Sequence, residues 1–285
     1  MPELPEVETM CRGIAVAIGG TVSAIERPRC PCRPISVSPG IECFRRLAVG
    51  RPLTSVRRRG KRVVLELGPD RSIVIEPRMT GLVLRADPPS NEHLRFRIGL
   101  TGGAVPEILF WDRRGLGTIR LLSGDEFANE IDARLGIDAL DIDPQLLRER
   151  LGGGERPIKV ALLDQSRVAG IGNLYASEIL FVAGIDPRLR CRQLTRPQWQ
   201  RLAEATLRVL AEAIAHEGST LRDGTYRNAL NDPGGYQNRH RVYDRAGRDC
   251  PRCGGATIRR IVQAQRSTFF CPHCQRRSGR HPAVA

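Results

Sequence analysis

The sequence contains no apolar run long enough to cross a lipid bilayer, and it carries no secretory or lipidation signal. Its opening stretch, MPELPEVETM, is too acidic and too poor in apolar side chains to form the core of a signal peptide. Internal repeats and long low-complexity tracts are also absent. These absences exclude membrane-spanning, secreted and repeat proteins, so we expect a soluble protein of the cytoplasm.

Positive charge is what the sequence has in excess. Lysine and arginine number 45 against 31 aspartates and glutamates, which gives a net charge of +14. Short basic clusters lie at residues 57–62, 112–115 and 275–280, as expected if several loops converge on one polyanion. Charge alone leaves open a protein that is merely basic, but a nucleic acid is the expected partner.

The pattern along the 285 residues predicts domains of different character. Apolar residues at helical spacing predict a helix over 6–17, and strand-like segments separated by Gly, Pro and Asp turns follow it. We therefore expect a β-rich domain over 1–138, a helical domain over 139–242 and a cysteine-bearing module over 243–276. Residues 277–285 are expected to form a disordered tail.

Two C-x-x-C pairs near the C-terminus have the spacing of a structural zinc site. Four thiolates supply the tetrahedral set that Zn²⁺ requires and leave no open position for catalysis. The ligands are Cys250, Cys253, Cys271 and Cys274. Between the pairs we expect a hairpin held by one structural zinc ion, with His273 outside the ligand set and Arg266 near the turn, suited to a phosphate. The other cysteines, expected to be plain thiols in a reducing compartment, are Cys11, Cys30, Cys32, Cys43 and Cys191.

A glycine-rich turn leads into a helix in the segment VAGIGNLYASEILFVAG. The spacing predicts that this helix begins near Asn173, with Asn173 as its N-cap. Free backbone amides at such a helix start can bind a phosphate. An ordinary capped helix in a bundle explains the same pattern, so the residues by themselves leave both interpretations open.

Taken together, these segments resemble the formamidopyrimidine-DNA glycosylases. The motifs follow that family's order: PELPEVE at 2–8, the lysine in RRRGKR, the methionine in RMTG, GIGNLYASE at 170–178, AQRSTF at 264–269 and the four-cysteine finger. The resemblance implies an α+β multidomain fold: an N-terminal β-sandwich with flanking helices, a helix-two-turns-helix domain and a C-terminal β-hairpin zinc finger. It also implies a monomer in a bacterial cytoplasm that binds damaged double-stranded DNA and excises oxidised purines.

Within this resemblance, the opening of the chain becomes a catalytic terminus. Removal of the initiator methionine would leave Pro2 with a secondary amine, whose neutral form attacks the sugar C1′. The resulting iminium favours loss of the 3′ and then the 5′ phosphate, so base removal is followed by strand cleavage through β,δ-elimination. Glu3 would exchange protons with the sugar, and Lys61 would contact phosphate and assist excision. Glu6 also matches a family carboxylate, although a helix-start charge explains it nearly as well.

The resemblance further implies residues that hold the DNA and fill the space left by an everted base. The DNA-binding residues are His93, Arg114, Asn173 and Arg266. The void-filling residues are Met79, Arg114 and Leu116, with Arg114 reading the cytosine opposite the lesion. From chemistry alone, burial in a core would explain Met79 and Leu116 as well. Residues 219–236 correspond to the loop that covers the everted base.

Three residues depart from the family pattern. Leu116 stands where Phe is common, and Glu76 stands where members carry a histidine that holds a phosphate. Asp244 replaces the glycine of the usual Tyr-Gly-Arg, in a turn that Asp tolerates fairly well. The departure at Leu116 leaves open how strongly this residue stacks in the space left by the base. The departure at Glu76 leaves open one phosphate contact.

Two rival functions stay open. An endonuclease VIII-like enzyme would act on oxidised pyrimidines, but Leu4 and Arg114 favour the purine enzyme. A non-catalytic relative would bind damaged DNA without cutting it. Such a relative would lack Pro2, Glu3 or Lys61, and all three are present.

Overall fold

The computed structural model describes residues 2–221 and 224–277. They form two compact units: an N-terminal unit of Met1–Arg134 with Ala213–Gln237, and a C-terminal unit of Leu135–Glu212 with Asn238–Ala285. Segment 213–237 thus packs with the N-terminal strands, whereas the sequence pattern placed it in the helical domain. Most of the expected tail lies outside the described residues, and the sequence-based domain limits stay predictions.

Two β-sheets share one hydrophobic core in the N-terminal unit. Their strands are β1 (Thr21–Glu26), β2 (Ser36–Ser38), β3 (Leu53–Arg59), β4 (Arg62–Leu67), β5 (Arg71–Glu76), β6 (Gly81–Leu84), β7 (Leu94–Thr101), β8 (Glu107–Asp112) and β9 (Thr118–Ser123). One sheet has the order β1-β7-β8-β6 and the other β2-β9-β5-β4-β3. All pairings are antiparallel except that of β2 with β9. The predicted β-sandwich is confirmed.

The helices of this unit are α1 (Leu4–Ile14), α2 (Ile41–Ala48) and α3 (Gly124–Glu130). Helix α1 packs against β3, β4 and β6 through the apolar face that its helical spacing predicts. It begins two residues before the predicted start because Glu3 and Glu6 form a capping box. Pro5 is tolerated in the first turn, where backbone N–H groups have no helical partner.

The C-terminal unit contains α4 (Pro144–Leu151), α5 (Ile158–Leu162), α6 (Asn173–Ala183) and most of α7 (Arg196–Ala215). Short strands β10 (Ile137–Asp138) and β11 (Val168–Ala169) pair in parallel. Strands β12 (Arg259–Gln263) and β13 (Arg266–Phe270) form the predicted hairpin, whose core includes Phe181, Val242 and Phe269. None of the helices in the described residues is long and apolar enough to cross a membrane.

Helix α2 provides a test of the sandwich core, because the sequence pattern had not predicted it. Its Phe44 is fully buried, and the Phe44 ring meets Phe96 edge-on with 5.3 Å between the ring centroids. We expect Phe44→Ala to lower the free energy of unfolding by about 3–5 kcal/mol, because it leaves a cavity. Val49→Ala, at a side chain 44% exposed just after the helix, should change it by less than about 0.5 kcal/mol. Urea unfolding of both variants measures this, and equal effects would contradict the assignment of Phe44 to the core.

Candidate functional site

The start of the chain is held inside the N-terminal unit by the side chain of Glu6. Pro2, Glu3 and Glu6 are all buried. One carboxylate oxygen of Glu6 accepts a hydrogen bond from the backbone N–H of Glu3 at 2.9 Å. The other accepts from the backbone N–H of Ser219 at 2.8 Å. Glu6 therefore joins the first residues of the chain to segment 213–237, a role that its reading as a helix-start charge missed.

Segment 213–237 is itself held by a set of internal hydrogen bonds. The Tyr226 hydroxyl donates to the carbonyl of Glu217 at 2.9 Å, and the Thr220 hydroxyl donates to the carbonyl of Tyr226 at 2.7 Å. Burial and the nearby Glu6 carboxylate raise the pKa of Tyr226 well above its usual range, so this hydroxyl remains a donor. Arg113 also donates to the Thr225 hydroxyl at 3.0 Å. These hydrogen bonds fix the described part of the loop expected to cover an everted base, next to Glu6.

Lys61 lies in the two-residue turn between β3 and β4, against which α1 packs. Gly60, its partner in the turn, has φ +57°, a conformation that favours glycine. The arginines around Lys61 each form an ion pair: Arg57 with Glu66, Arg58 with Glu8, Arg59 with Asp132, and Arg62 with Glu76. Arg58 is the least exposed of the four, with a side chain that is 7% exposed.

The buried carboxylate of Asp112 organises the loop after β8. It accepts hydrogen bonds from the Thr80 hydroxyl and from the backbone N–H groups of Arg114, at 3.2 Å, and Gly117, at 2.8 Å. The Thr80 hydroxyl in turn accepts from the Arg114 N–H at 3.0 Å. Asp112 therefore fixes the backbone that carries Arg114 and Leu116 and ties it to the residue that follows Met79.

The side chains expected to fill a vacated base position lie at the surface of this loop pair. Met79 is 38% exposed, Arg114 is exposed and Leu116 is half-buried, so burial in a core explains none of them. Glu76, the departure from the family's histidine, binds Arg62 at 3.2 Å and Arg78 at 3.2 Å. Its negative charge is therefore balanced by two guanidinium groups within the protein.

Asn173 is the first residue of α6, and the prediction that it is the N-cap is wrong. The cap is Gly172, whose extended backbone (φ −126°, ψ −163°) precedes the helix. The Asn173 side chain does not cap the helix because its Oδ1 accepts a hydrogen bond from the ammonium group of Lys159. Lys159 is fully buried in α5 and also donates to the carbonyl of Ser267 at 3.3 Å. One ammonium thus connects Asn173 with the hairpin strand that carries Arg266.

Arg266 is the exposed first residue of β13, directly after the hairpin turn. The segment that leads into the finger is anchored by Glu178, a buried carboxylate on α6 that accepts from the backbone N–H groups of residues 241–243 at 2.8–3.1 Å. Burial raises the pKa of Glu178, against the effect of these donors. Asp244 follows with φ +57°, so the expected left-handed turn is retained without glycine.

The four finger cysteines come together as a metal ligand set. Their sulfur atoms all lie within 4.8 Å of one another. The Cys250–Cys274 and Cys253–Cys271 sulfur pairs are each 3.8 Å apart, which matches the edge of about 3.8 Å of a tetrahedron with Zn–S bonds of about 2.3 Å. Backbone N–H groups of Arg252 and Cys274 lie 3.4 Å from the sulfurs of Cys250 and Cys271 and can stabilise thiolates. The donor set fits a structural zinc site.

Three family models match the chain in order. They are the formamidopyrimidine-DNA glycosylase N-terminal domain over residues 1–119, the formamidopyrimidine-DNA glycosylase H2TH domain over 135–225, and the zinc finger found in FPG and IleRS over 249–277. The formamidopyrimidine-DNA glycosylase of Chloroflexus aurantiacus is 41% identical over 280 residues, which are 96% of this chain and 98% of that protein. The chain belongs to the formamidopyrimidine-DNA glycosylase family. The protein of the same name from Laribacter hongkongensis is 37% identical over 280 residues, covering 97% of this chain and all of that one.

Solved structures agree with this membership. A variant of the Lactococcus lactis FPG in complex with DNA containing Fapy-dG superposes with a TM-score of 0.84 at 33% identity, covering 97% of this chain and 100% of that one. The MutM (FPG) protein of Thermus thermophilus gives 0.82 at 38% identity, covering 96% and 98%. The predicted α+β fold class and the prediction of a DNA glycosylase enzyme are confirmed.

Three positioning residues escaped the sequence analysis or were ranked low by it: Glu6, Asp112 and Lys159. For Lys159 a signal was present. The chain has two lysines among its 45 basic residues, and the other is Lys61. Lysine and arginine are not interchangeable, so a lysine in a chain that otherwise uses arginine is a position to examine. Glu6 and Asp112 had no comparable signal, because their partners include backbone N–H groups, which any residue carries.

Asp112 can be tested without removing its bulk. We expect Asp112→Asn to lower the free energy of unfolding by about 2–3 kcal/mol, because an amide in place of one oxygen leaves a loop N–H group without an acceptor. The matched control is Asp70→Asn, which weakens an exposed pair with Arg51 and should change stability much less, because solvent screens the pair. Thermal and urea unfolding measure both, and a neutral Asp112→Asn would contradict the role assigned to this carboxylate.

Lys159 offers a second test in the C-terminal unit. Lys159→Met keeps the apolar stem but removes the ammonium, leaving the acceptors on Asn173 and Ser267 without this donor. We expect a loss of about 2 kcal/mol in stability. Arg208→Met, at an exposed position on α7, should change stability by less than about 0.5 kcal/mol. A Lys159→Met protein as stable as the control would show that the buried ammonium does not support this junction.

Proposed function

We propose that this protein is a base excision repair glycosylase that removes oxidised purines from duplex DNA and then cleaves the strand. The observation that carries the proposal is the burial of Pro2 beside a carboxylate pair whose second member, Glu6, is bound at both oxygens. A chain terminus is ordinarily exposed and frayed. Burial of the terminus in a folded unit therefore supports a role in which the terminal group must be held in place to react.

The terminal amine supplies the nucleophile once the initiator methionine has been removed. An α-amino group titrates at about pH 8, so part of the population is neutral at neutral pH. The nitrogen of Pro2 forms a bond to the sugar C1′ as the bond from C1′ to the damaged base breaks, and the base leaves with a proton. Glu3 is the group that exchanges protons with the sugar, because it is the neighbouring carboxylate.

Strand cleavage follows from the chemistry of the adduct. A secondary amine gives an iminium that keeps its positive charge, and this charge acidifies the protons at C2′. Loss of a C2′ proton expels the 3′ phosphate, and a further elimination expels the 5′ phosphate. Lys61 is the proposed phosphate contact and assistant in excision. Its position in the turn between β3 and β4, among four arginines, places its ammonium group in a basic cluster suited to a phosphate backbone.

The remaining contacts hold a DNA duplex whose damaged nucleotide has left the stack. Asn173 and Arg266 are the proposed ligands of the phosphates that flank this nucleotide, with His93 as a further DNA contact. Because Lys159 donates to Asn173 Oδ1, the amide nitrogen of Asn173 is the atom that can donate to a phosphate oxygen. Met79, Arg114 and Leu116 fill the space, and Arg114 reads the cytosine opposite. One structural zinc ion holds the hairpin, and the enzyme acts as a monomer.

Borohydride trapping tests the proposed nucleophile. A labelled duplex containing 8-oxoguanine opposite cytosine is incubated with the protein and borohydride, and the adduct is mapped by mass spectrometry. We expect a covalent adduct at Pro2, and Pro2→Gly should slow strand scission by at least about 100-fold. Pro69→Gly, at an exposed turn, is the matched control and should be unaffected.

Two outcomes would overturn the proposal. An adduct at another residue would remove the role of the terminal amine, and unchanged scission by Pro2→Gly would remove the requirement for a secondary amine. A duplex containing dihydrouracil tests substrate class, and faster excision from it than from 8-oxoguanine would favour the pyrimidine enzyme instead. Absence of cutting on both duplexes by a folded protein would favour a relative that only binds damaged DNA.

A further inference from the structure

A second group of metal-ligating side chains lies in the N-terminal unit, away from the finger. The sulfur atoms of Cys30 and Cys32 and a ring nitrogen of His93 all lie within 4.8 Å of one another. Cys32 Sγ is 3.8 Å from His93 Nδ1. The ligands come from two distant parts of the chain, since 61 residues separate Cys32 from His93. We propose that Cys30, Cys32 and His93 bind a second zinc ion.

The donor chemistry favours zinc among the metals available to proteins. Two thiolates with one imidazole form a soft, borderline ligand set that suits Zn²⁺ and does not suit Mg²⁺ or Ca²⁺. A tetrahedron with Zn–S bonds of about 2.3 Å and a Zn–N bond of about 2.0 Å has S–N edges of about 3.5 Å. The observed spacing is within a few tenths of an ångström of that edge at the Cys32–His93 pair. Pro31 between the two cysteines restricts their backbone and keeps the thiols near one another.

Neighbouring groups complete the site. A carboxylate oxygen of Glu92 lies 3.9 Å from Cys32 Sγ, and the other lies 3.9 Å from His93 Nε2. The Glu92 side chain is 62% exposed, so it has the freedom to supply the fourth ligand or to orient the imidazole, as carboxylates beside metal-bound histidines do. The buried guanidinium of Arg95 donates to Cys30 Sγ and fixes the position of this sulfur atom.

The site lies under the loop that carries Arg114. The same Arg95 guanidinium donates to the carbonyls of Asp112, at 2.7 Å, and Arg113, at 3.4 Å. The His93 carbonyl accepts from the backbone N–H of Asp112 at 2.9 Å. Gly115 passes so close to Arg33 that a Cβ would lie 2.1 Å from the Arg33 carbonyl oxygen. A zinc ion here would therefore link the segment around Cys30 to the residue before β7. It would also limit movement of the loop that carries Arg114.

Zinc ligation also constrains the part that His93 takes in DNA binding. Coordination through Nδ1 leaves Nε2 as an N–H donor, because a metal-bound imidazole carries its proton on the other nitrogen. His93 can then hold the metal and still donate to DNA. The T-shaped contact of its ring with Trp111, at 5.4 Å between ring centroids, keeps the imidazole in one orientation.

Metal content of the full-length protein tests the proposal. The protein is purified under reducing conditions, equilibrated with zinc and dialysed. The number of zinc ions per chain is then measured by elemental mass spectrometry. We expect about two zinc ions per wild-type chain and about one in the Cys30→Ser/Cys32→Ser variant. Cys43→Ser, which changes a half-buried cysteine outside both clusters, is the matched control and should retain about two. The zinc ion kept by the finger reports only on the C-terminal unit, so a urea unfolding transition like that of the wild type is the check that the N-terminal unit of the double variant is folded.

Cobalt substitution assigns the ligands. With Co²⁺ in place of zinc, the wild-type protein should show sulfur-to-cobalt charge-transfer absorption from both sites, and Cys32→Ser and His93→Gln should each lose the part due to the second site. A wild-type protein with about one zinc ion, or a double variant that keeps about two, would overturn the proposal. So would an intact mass showing a Cys30–Cys32 disulfide in the reduced, zinc-equilibrated protein, because a disulfide cannot supply thiolate ligands.

Discussion

The two hydrogen bonds accepted by the Glu6 carboxylate are the constraint on which the rest of the N-terminal unit depends. One holds the backbone of Glu3, and through it Pro2, and the other holds Ser219. A buried carboxylate is costly unless its oxygens are paired, and here both are paired with backbone N–H groups. The arrangement therefore has little tolerance for movement. One side chain therefore contacts the first residues, the start of α1 and segment 213–237.

The same device recurs at Asp112 and Glu178. Each is a buried carboxylate that accepts from backbone N–H groups of a loop: Asp112 for the loop with Arg114, and Glu178 for the segment entering the finger. Backbone donors at loops have no ladder partners, so an anionic acceptor satisfies several of them at once. In a chain of net charge +14, these few acids stay buried as acceptors while arginine pairs balance the acids nearer the surface.

The sequence was sufficient for features that repeat at short range. Strand-like segments between turns predicted the β-rich N-terminal domain, and the cysteine spacing predicted the metal ligands of the finger. It was insufficient where one residue acts at long range. Glu6 and Ser219 are 213 residues apart, and no local pattern marks their contact. Strand β3 was missed because its run of arginines resembles an exposed basic patch, whereas in the fold these arginines pair across the sheet and with α1. The cluster of Cys30, Cys32 and His93 could likewise not be predicted, because His93 lies 61 positions after Cys32 and only the fold brings them together.

The return of segment Ala213–Gln237 to the N-terminal unit has a consequence for how the protein is made. Synthesis proceeds from the N-terminus, and domains usually fold as they emerge from the ribosome. Here the first residues contact segment 213–237, which is translated long after them. An unfinished chain ending before residue 213 would lack the Ser219 N–H that one oxygen of Glu6 accepts. The buried residues at the start of the chain are therefore translated first but reach their final contacts late.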